Sequence, residues 1–155
     1  MDRLKFLNNE LGTNFMSLDK INWDYISEHQ ILSEKFIREF QDKMDWIEIS
    51  SKQILSENFI REFQDKVHWG QISIYQKLSE KFIREFQNKV YWFYISKYQI
   101  LSENFICEFQ DKVCWAEISY YQKLSPEFIK EFGLNINKNN WLHKSTKFKK
   151  KQIVD

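Results

Sequence analysis

Glycine and proline are scarce in this chain, whose 155 residues include three Gly and one Pro. β-Sandwiches and loop-rich folds need more of these turn-forming residues, so both classes are disfavoured. Apolar residues make up 43% of the sequence and aromatic residues 17%, which is ample material for a buried interior. The composition therefore favours helices joined by tight turns and argues against a chain that is disordered throughout.

Long apolar runs and cysteines are also few. No run approaches the roughly 18 to 20 residues that cross a bilayer. Residues 1–11 include two acidic and two basic side chains, where a secretory signal has an uninterrupted apolar segment. Cys107 and Cys114 have no counterparts in the equivalent segments elsewhere in the chain, which argues against a disulfide framework. We expect a soluble protein of a reducing, intracellular environment, with no membrane attachment.

A 23-residue repeat dominates the sequence. The string L-S-E-x-F-I-x-E-F-Q-x-K-x-x-W-x-x-I-S-x-x-Q begins at Leu32, Leu55, Leu78 and Leu101, and half of it returns from Leu124. Terminal units of a stacked array differ from internal ones because one of their faces meets water. We divide the chain into a capping segment (1–10), a degenerate first repeat (11–31), four regular repeats (32–123), a partial repeat (124–137) and a basic tail (138–155).

The repeat cannot form one continuous helix. At 3.6 residues per turn, 23 residues make about 6.4 turns, so the apolar stripe would rotate by about 140° from one repeat to the next. Each unit must therefore fold back on itself. The sequence predicts an all-α fold, an α-solenoid of short antiparallel helical hairpins with 23 residues per repeat. Leucine-rich repeats are the main structural rival, but their strand signature is missing from the sequence.

Two patterns locate the helices within the unit. A serine stands at the N-cap position of each unit, and in the last unit Pro126 follows it. This pattern predicts that helix A begins at the serine and, in the first regular repeat, ends near Lys43. Helix B is predicted from about Asp45, with Trp46 and Gln53 at the two ends of its apolar face. We expect the tryptophans to belong to the core.

The unit resembles a repeat found in uncharacterised proteins of giant DNA viruses that infect amoebae, whose usual form is close to F-I-R-E-F-x-D-K-V-D-W-x-x-I-S-x-x-Q-x-L-S-E. The resemblance covers residues 11–132. It implies no activity, and it places the protein inside an infected cell, in the host cytoplasm rather than the nucleus. His68, Tyr91 and Cys114 replace the common Asp before Trp, which predicts weaker capping of helix B in those units.

Catalytic motifs are missing from the sequence, which has no G-x-S-x-G, no phosphate-binding glycine loop and no H-E-x-x-H. The three histidines, His29, His68 and His143, are far apart, and only the first two fall within the repeats. A metal site would need unrelated units to converge. We therefore expect no enzymatic activity, no metal and no cofactor.

The outward positions of helix B vary between repeats, and aromatic residues accumulate there toward the carboxyl half. Such rings give a large contact area at low entropy cost, which is typical of protein-binding surfaces. The alternative is that Tyr75, Tyr98 and Tyr121 pack against the neighbouring unit. The predicted binding surface comprises Tyr91, Phe93, Tyr94, Tyr98, Tyr120 and Tyr121.

Charge is segregated along the chain. Residues 138–155 carry six lysines and one acid, a net +5, so the remainder carries −4 of the total of +1. The cluster of Lys144, Lys147, Lys149, Lys150 and Lys151 could contact nucleic acid, act as a targeting signal or simply solubilise the chain. Our leading hypothesis is a non-enzymatic scaffold that binds another protein, and the alternative is a nucleic-acid-associated protein that acts through this tail.

Overall fold

The computed structural model describes residues 2–134, and every regular element in that range is helical. The chain begins with α1 (Arg3–Leu11), a 3₁₀ turn (Leu18–Lys20) and α2 (Trp23–His29). It continues with α3 (Glu34–Glu39), α4 (Trp46–Lys52), α5 (Glu57–Glu62), α6 (Trp69–Tyr75) and α7 (Glu80–Glu85). The last four helices are α8 (Trp92–Tyr98), α9 (Glu103–Glu108), α10 (Trp115–Tyr121) and α11 (Pro126–Glu131).

Two kinds of short helix alternate along the repeats. Helix A has six residues and helix B has seven. Helices B of successive repeats pack against each other, α2 on α4 and α4 on α6, and likewise α8 on α10. This arrangement confirms the predicted α-solenoid with its 23-residue period, and the lack of any strand in residues 2–134 excludes a leucine-rich repeat there.

The chain forms two compact units, Met1–Val90 and Tyr91–Asp155. The boundary falls inside the third regular repeat, between its helix A and its helix B. The first unit thus holds α1 to α7, and the second holds α8 to α11. All six aromatic residues of the predicted binding surface belong to the second unit.

Each helix A begins at a serine N-cap, as the sequence predicts. The serine hydroxyl accepts the backbone N–H of the phenylalanine three residues later, and Ser56 does so from Phe59 at 3.1 Å. Pro126 occupies the first helical position of α11, where no backbone N–H is needed. The serine and proline predictions are therefore confirmed.

Helix A is shorter than predicted. In the first regular repeat it ends at Glu39, one turn before Lys43. The carbonyl oxygen of Gln41 accepts the indole N–H of Trp46 at 3.1 Å instead of a helical amide. The chain leaves the helix at Phe40, and the indole N–H of helix B then bonds to the turn that follows.

Fully buried phenylalanine and isoleucine pairs from helix A fill the centre of each repeat. Four such pairs, Phe36/Ile37, Phe59/Ile60, Phe82/Ile83 and Phe105/Ile106, have no exposed surface. The tryptophan of helix B is half-buried and lies over them, with Trp69 at 5.0 Å from Phe86 and 6.2 Å from Phe82 between ring centroids. The prediction that the tryptophans belong to the core is therefore wrong in depth, because the tryptophans of helix B are half-buried and cover the core instead of filling it.

Within each unit, a buried glutamine at the end of helix B joins a repeat to the one before it. The amide oxygen of Gln76 accepts the N–H of Leu55 at 3.1 Å, and its amide nitrogen donates to the carbonyls of Ser50 and Gln53 at 2.9 and 2.8 Å. Gln53 and Gln122 make the same three bonds one repeat earlier and two repeats later. These bonds satisfy loop backbone groups that burial would otherwise leave unpaired.

A buried serine on helix B makes a second link between repeats. The Ser50 hydroxyl donates to the carbonyl of Trp46 at 2.6 Å and accepts the backbone N–H of His68 at 2.9 Å. Ser96 does the same with Trp92 and Cys114. The repeat-wide I-S-x-x-Q pattern therefore encodes the contacts between repeats as well as an apolar face.

Capping of helix B varies between repeats. Asp45 accepts the N–H groups of Ile47 and Glu48 at 2.8 and 3.3 Å. His68 caps its helix with one hydrogen bond, which its Nδ1 accepts from Gln71 N–H at 3.2 Å, so this cap has one bond fewer than that of Asp45, in the predicted direction. Of the described N-cap residues of helix B, only Tyr91 and Cys114 make no side-chain cap hydrogen bond.

Replacing Cys114 by aspartate is expected to stabilise the protein by about 0.5–2 kcal/mol, because the new carboxylate would cap α10 as Asp45 caps α4. Thermal unfolding of the Cys114→Asp variant measures the gain as a higher midpoint. Cys114→Ala is the control, since it also removes the thiol but adds no acceptor. Equal midpoints for the two variants would contradict the capping argument.

Candidate functional site

Helix α8 carries most of the candidate aromatic surface. Its buried face consists of Ile95, Ser96 and the C-cap Gln99. At about 100° per residue, the side chains one, two, five and six positions after Trp92 point away from that face. Helical geometry therefore turns Phe93, Tyr94 and Tyr98 outward while the residues of the repeat signature, Trp92 included, hold the helix in place.

The rings of α8 contact one another in a continuous series. Tyr91 stacks on Tyr94 at 6.1 Å between centroids, and Phe93 meets the Tyr94 ring edge-on at 5.5 Å. Tyr94 also contacts Tyr98 at 6.3 Å. On α10, Tyr120 and Tyr121 are 4.6 Å apart. We call these six residues the aromatic patch.

Lys97 links the two helices of the patch. Its ammonium lies over the rings of Phe93, Tyr98 and Tyr121, at 5.8, 5.5 and 5.0 Å from their centroids. It also pairs with a carboxylate oxygen of Glu117 at 3.8 Å. A single cation thus holds rings from neighbouring repeats in one arrangement.

The charge of Lys97 is maintained by its neighbours. Burial by itself would lower the pKa of this ammonium, but the two tyrosines and Glu117 beside it outweigh that effect and raise the pKa above its ordinary value. The cation–ring contacts are therefore retained at neutral pH and lost only when the pH rises through the raised pKa. Acidification does not remove them through Lys97.

The six predicted residues differ in exposure. Tyr91, Phe93 and Tyr120 are exposed at 54, 48 and 47%. Tyr94, Tyr98 and Tyr121 are half-buried. The half-buried rings thus form the base of the patch and the exposed ones its rim.

This arrangement is compatible with both interpretations of the tyrosines, as a binding surface and as packing between neighbouring repeats. Tyr98 and Tyr121, which could pack between repeats, both flank Lys97. Tyr75, the third tyrosine of that alternative, lies in the first unit and is 47% exposed. The candidate lysines of the tail, Lys144, Lys147, Lys149, Lys150 and Lys151, lie outside the described residues.

Both units also have exposed isoleucine in their loops, which the periodicity of the helices does not predict. Ile31, Ile54 and Ile100 are 82, 95 and 90% exposed, at the residue that follows the C-cap glutamine of helix B. Equivalent positions hold Lys77 and Lys123. This interchange of isoleucine and lysine was the available signal, because a core position would not accept both.

Polar chemistry on the described surface is limited. Among residues 2–134, no group of three or more His, Cys, Asp or Glu side chains is placed to hold a metal ion. Cys107 is exposed, Cys114 is half-buried, and neither forms a disulfide. Within the same residues, no helix is both long enough and apolar enough to span a membrane.

Comparison of the chain with models of known families, with curated proteins and with solved structures gives no match.

Proposed function

We propose that the chain is a non-enzymatic interaction scaffold and that the aromatic patch binds another protein. The observation that carries this proposal is the contact series of α8 and α10, in which exposed Phe93 and Tyr120 stand beside half-buried tyrosines. Exposed rings that are already held by their neighbours lose little entropy when a partner covers them. The resemblance to giant-virus repeats, and with it an intracellular site of action, belongs to the same proposal.

The repeat supplies an internal argument that the patch is not needed for folding. Phe93 occupies the position held by Ile47, Gly70 and Ala116 in other units, and all four belong to helices of the same length. Because this position accepts glycine and alanine, the repeat does not need an aromatic side chain there in order to fold. The Phe93 ring can therefore serve partner binding without being required for folding.

A variant of the patch can be built from residues that the repeat already uses. Phe93→Ala, Tyr94→Gln and Tyr120→Ser introduce the residues found at the equivalent positions Ala116, Gln71 and Ser51. We expect the triple variant to keep its thermal unfolding midpoint and to lose at least about tenfold in affinity for a protein partner, since exposed aromatic anchors dominate such contacts. Affinity capture from expressing cells, followed by titration of the recovered partner, measures the change.

The matched control carries Ile47→Ala and Tyr25→Gln. These substitutions repeat the changes at residues 93 and 94 on equivalent positions of the first unit, where the side chains are 49 and 53% exposed. The control should capture the same partner as the parent chain. Equal capture by the patch variant and the parent would refute the proposal.

The tail alternative is tested in the same experiment. A full chain with glutamine at the five candidate tail lysines should retain the protein partner if the patch binds it. Recovery of nucleic acid by the parent chain alone, declining as salt rises, would instead assign the function to the tail.

A further inference from the structure

The exposed isoleucines of the first unit lie on one edge of the array. Ile31 and Ile54 each occupy the loop that leads from helix B to the next helix A, and Lys77 occupies the third such loop. The preceding residues are directly joined, because the Gln53 side chain donates to the Gln30 carbonyl at 2.8 Å. Gln76 makes the same bond to Gln53 one repeat later. The three loop tips therefore form a row, with neighbouring tips about 10 Å apart.

Folding does not account for the isoleucines in this row. A side chain that is 82 or 95% exposed gains almost nothing from the core, and the same loop folds equally well around Lys77. Scattered exposed apolar residues are ordinary on protein surfaces. Here, by contrast, exposed isoleucines occupy the same loop position in successive repeats. This regularity indicates a role other than folding.

The charged residues along this edge favour an anionic neighbour. Lys77 belongs to the row, and Lys52 and Lys81 are exposed close to it in the chain, against one exposed acid, Glu28, near Ile31. The nearby acids Glu34 and Glu57 are partly exposed but already paired, since each accepts the backbone N–H of a serine N-cap in the following repeat, at 2.7 and 2.6 Å, and each also pairs with an arginine of its own helix. The edge thus presents lysine ammonium groups outward while the carboxylates at the start of helix A are occupied by backbone donors.

We propose that this edge, comprising Ile31, Ile54 and Lys77 with the flanking Lys52 and Lys81, rests on the surface of an anionic membrane. A protein pocket shaped for isoleucine rejects lysine, but a lipid surface accepts either residue at a loop tip. Isoleucine enters the acyl boundary, and lysine reaches the headgroup phosphates that lie just above it. Interchange of the two residues at one position is therefore the pattern that a lipid interface allows.

The inference is independent of the aromatic patch, which lies in the second unit. It replaces the expectation of no membrane attachment, because that expectation concerned long apolar segments and no helix of the described residues can span a membrane, whereas contact at a surface needs only short apolar tips. The second unit repeats the pattern, with Ile100 90% exposed and Lys123 at the next equivalent position.

Vesicle flotation tests the proposal with the full chain. Because the lysine tail would also attract anionic lipid, the parent for this experiment carries glutamine at Lys144, Lys147, Lys149, Lys150 and Lys151. We expect this parent to float with phosphatidylcholine vesicles that contain phosphatidylserine and to float much less with phosphatidylcholine alone. Introducing Ile31→Ser with Ile54→Ser should reduce its partition onto the anionic vesicles by about tenfold or more.

The control is Ile47→Ser, which makes the same chemical change at a 49% exposed isoleucine on α4. It should float like its parent, and all three proteins should share one thermal unfolding midpoint. The proposal is overturned if the tail-neutral parent does not float, or if the double serine variant floats equally well. Loss of a protein partner by the double variant without any vesicle binding by the parent would identify the row as a protein contact instead.

Discussion

Replacement of Phe82 by alanine is expected to lower the free energy of unfolding by about 3–5 kcal/mol, which is a large share of the stability of a small protein. Phe82 has no exposed surface and contacts Phe86 at 4.7 Å and Trp69 at 6.2 Å between ring centroids. The Arg61 guanidinium lies 5.0 Å from its ring centroid. Removing the ring would leave a cavity in the centre of a repeat that has no neighbouring side chain free to fill it.

Urea unfolding followed by circular dichroism measures this loss, and Trp69→Ala provides the comparison. Trp69 is half-buried, so its truncation removes less surface from the interior and leaves a groove that water can enter. It also leaves the Gln64 carbonyl, which now accepts the indole N–H at 2.9 Å, accessible to water. We expect the smaller loss for Trp69→Ala, and the reverse order would mean that the indole rather than the phenylalanine anchors the repeat.

This order could not be read from the sequence. Residue spacing predicts that Trp69 and Ile72 share the inward face of helix B, and the structure agrees on this orientation. Periodicity reports which side of a helix points inward, but it does not report depth. Depth depends on the partner helix, and here the six-residue helix A carries Phe82 beneath the indole.

Local chemistry was the most predictable part of the fold. A serine N-cap needs only its own helix, so Ser56 and its equivalents followed directly from the sequence. The end of helix A was predicted poorly because it depends on the Trp46 indole, which reaches back to the Gln41 carbonyl from the next helix. The sequence predicts a weaker cap at His68 but not its single bond, because a histidine nitrogen serves as an acceptor only in one tautomer.

In the candidate surfaces, too, the sequence predicts the features that depend on a single helix and not those that depend on neighbouring elements. Outward positions on α8 were predicted from helical geometry, but the clamp that Lys97 makes on rings of two helices depends on how the repeats stack. Ile54 was overlooked because it lies in a loop, where neither the period of a helix nor that of a strand applies. The signal that separates it from the buried Leu55 lies in the comparison of repeats, since lysine replaces isoleucine at the first position but nothing replaces leucine at the second.

Replacement of Gln76 by glutamate is expected to cost about 3–5 kcal/mol at neutral pH, because it places an ionised group in a buried site with two carbonyl oxygens. The new carboxylate could still accept the N–H of Leu55, but it could not donate to Ser50 or Gln53. Repulsion between the carboxylate and those carbonyls adds to the cost of desolvation. The repeat would lose the connection that holds its loop to the one before.

The loss should depend on pH in a defined direction. Desolvation and the facing carbonyls raise the pKa of the introduced carboxyl in the folded state above its unfolded value. Stability is therefore fully present below the unfolded pKa, where the protonated group can donate one hydrogen bond, and is lost as the pH rises through the folded pKa. Urea unfolding of Gln76→Glu and of the parent chain at each pH isolates this effect from other titrating groups.

Gln76→Leu is the matched control because it fills a similar volume, makes none of the three hydrogen bonds and carries no charge at any pH. Its destabilisation relative to the parent should stay constant across the range. The glutamate variant should therefore be the less stable of the two at neutral pH and should approach or surpass the leucine variant in acid. A constant difference between them would show that water reaches residue 76, and that the glutamine bonds between repeats are then worth no more than exposed ones.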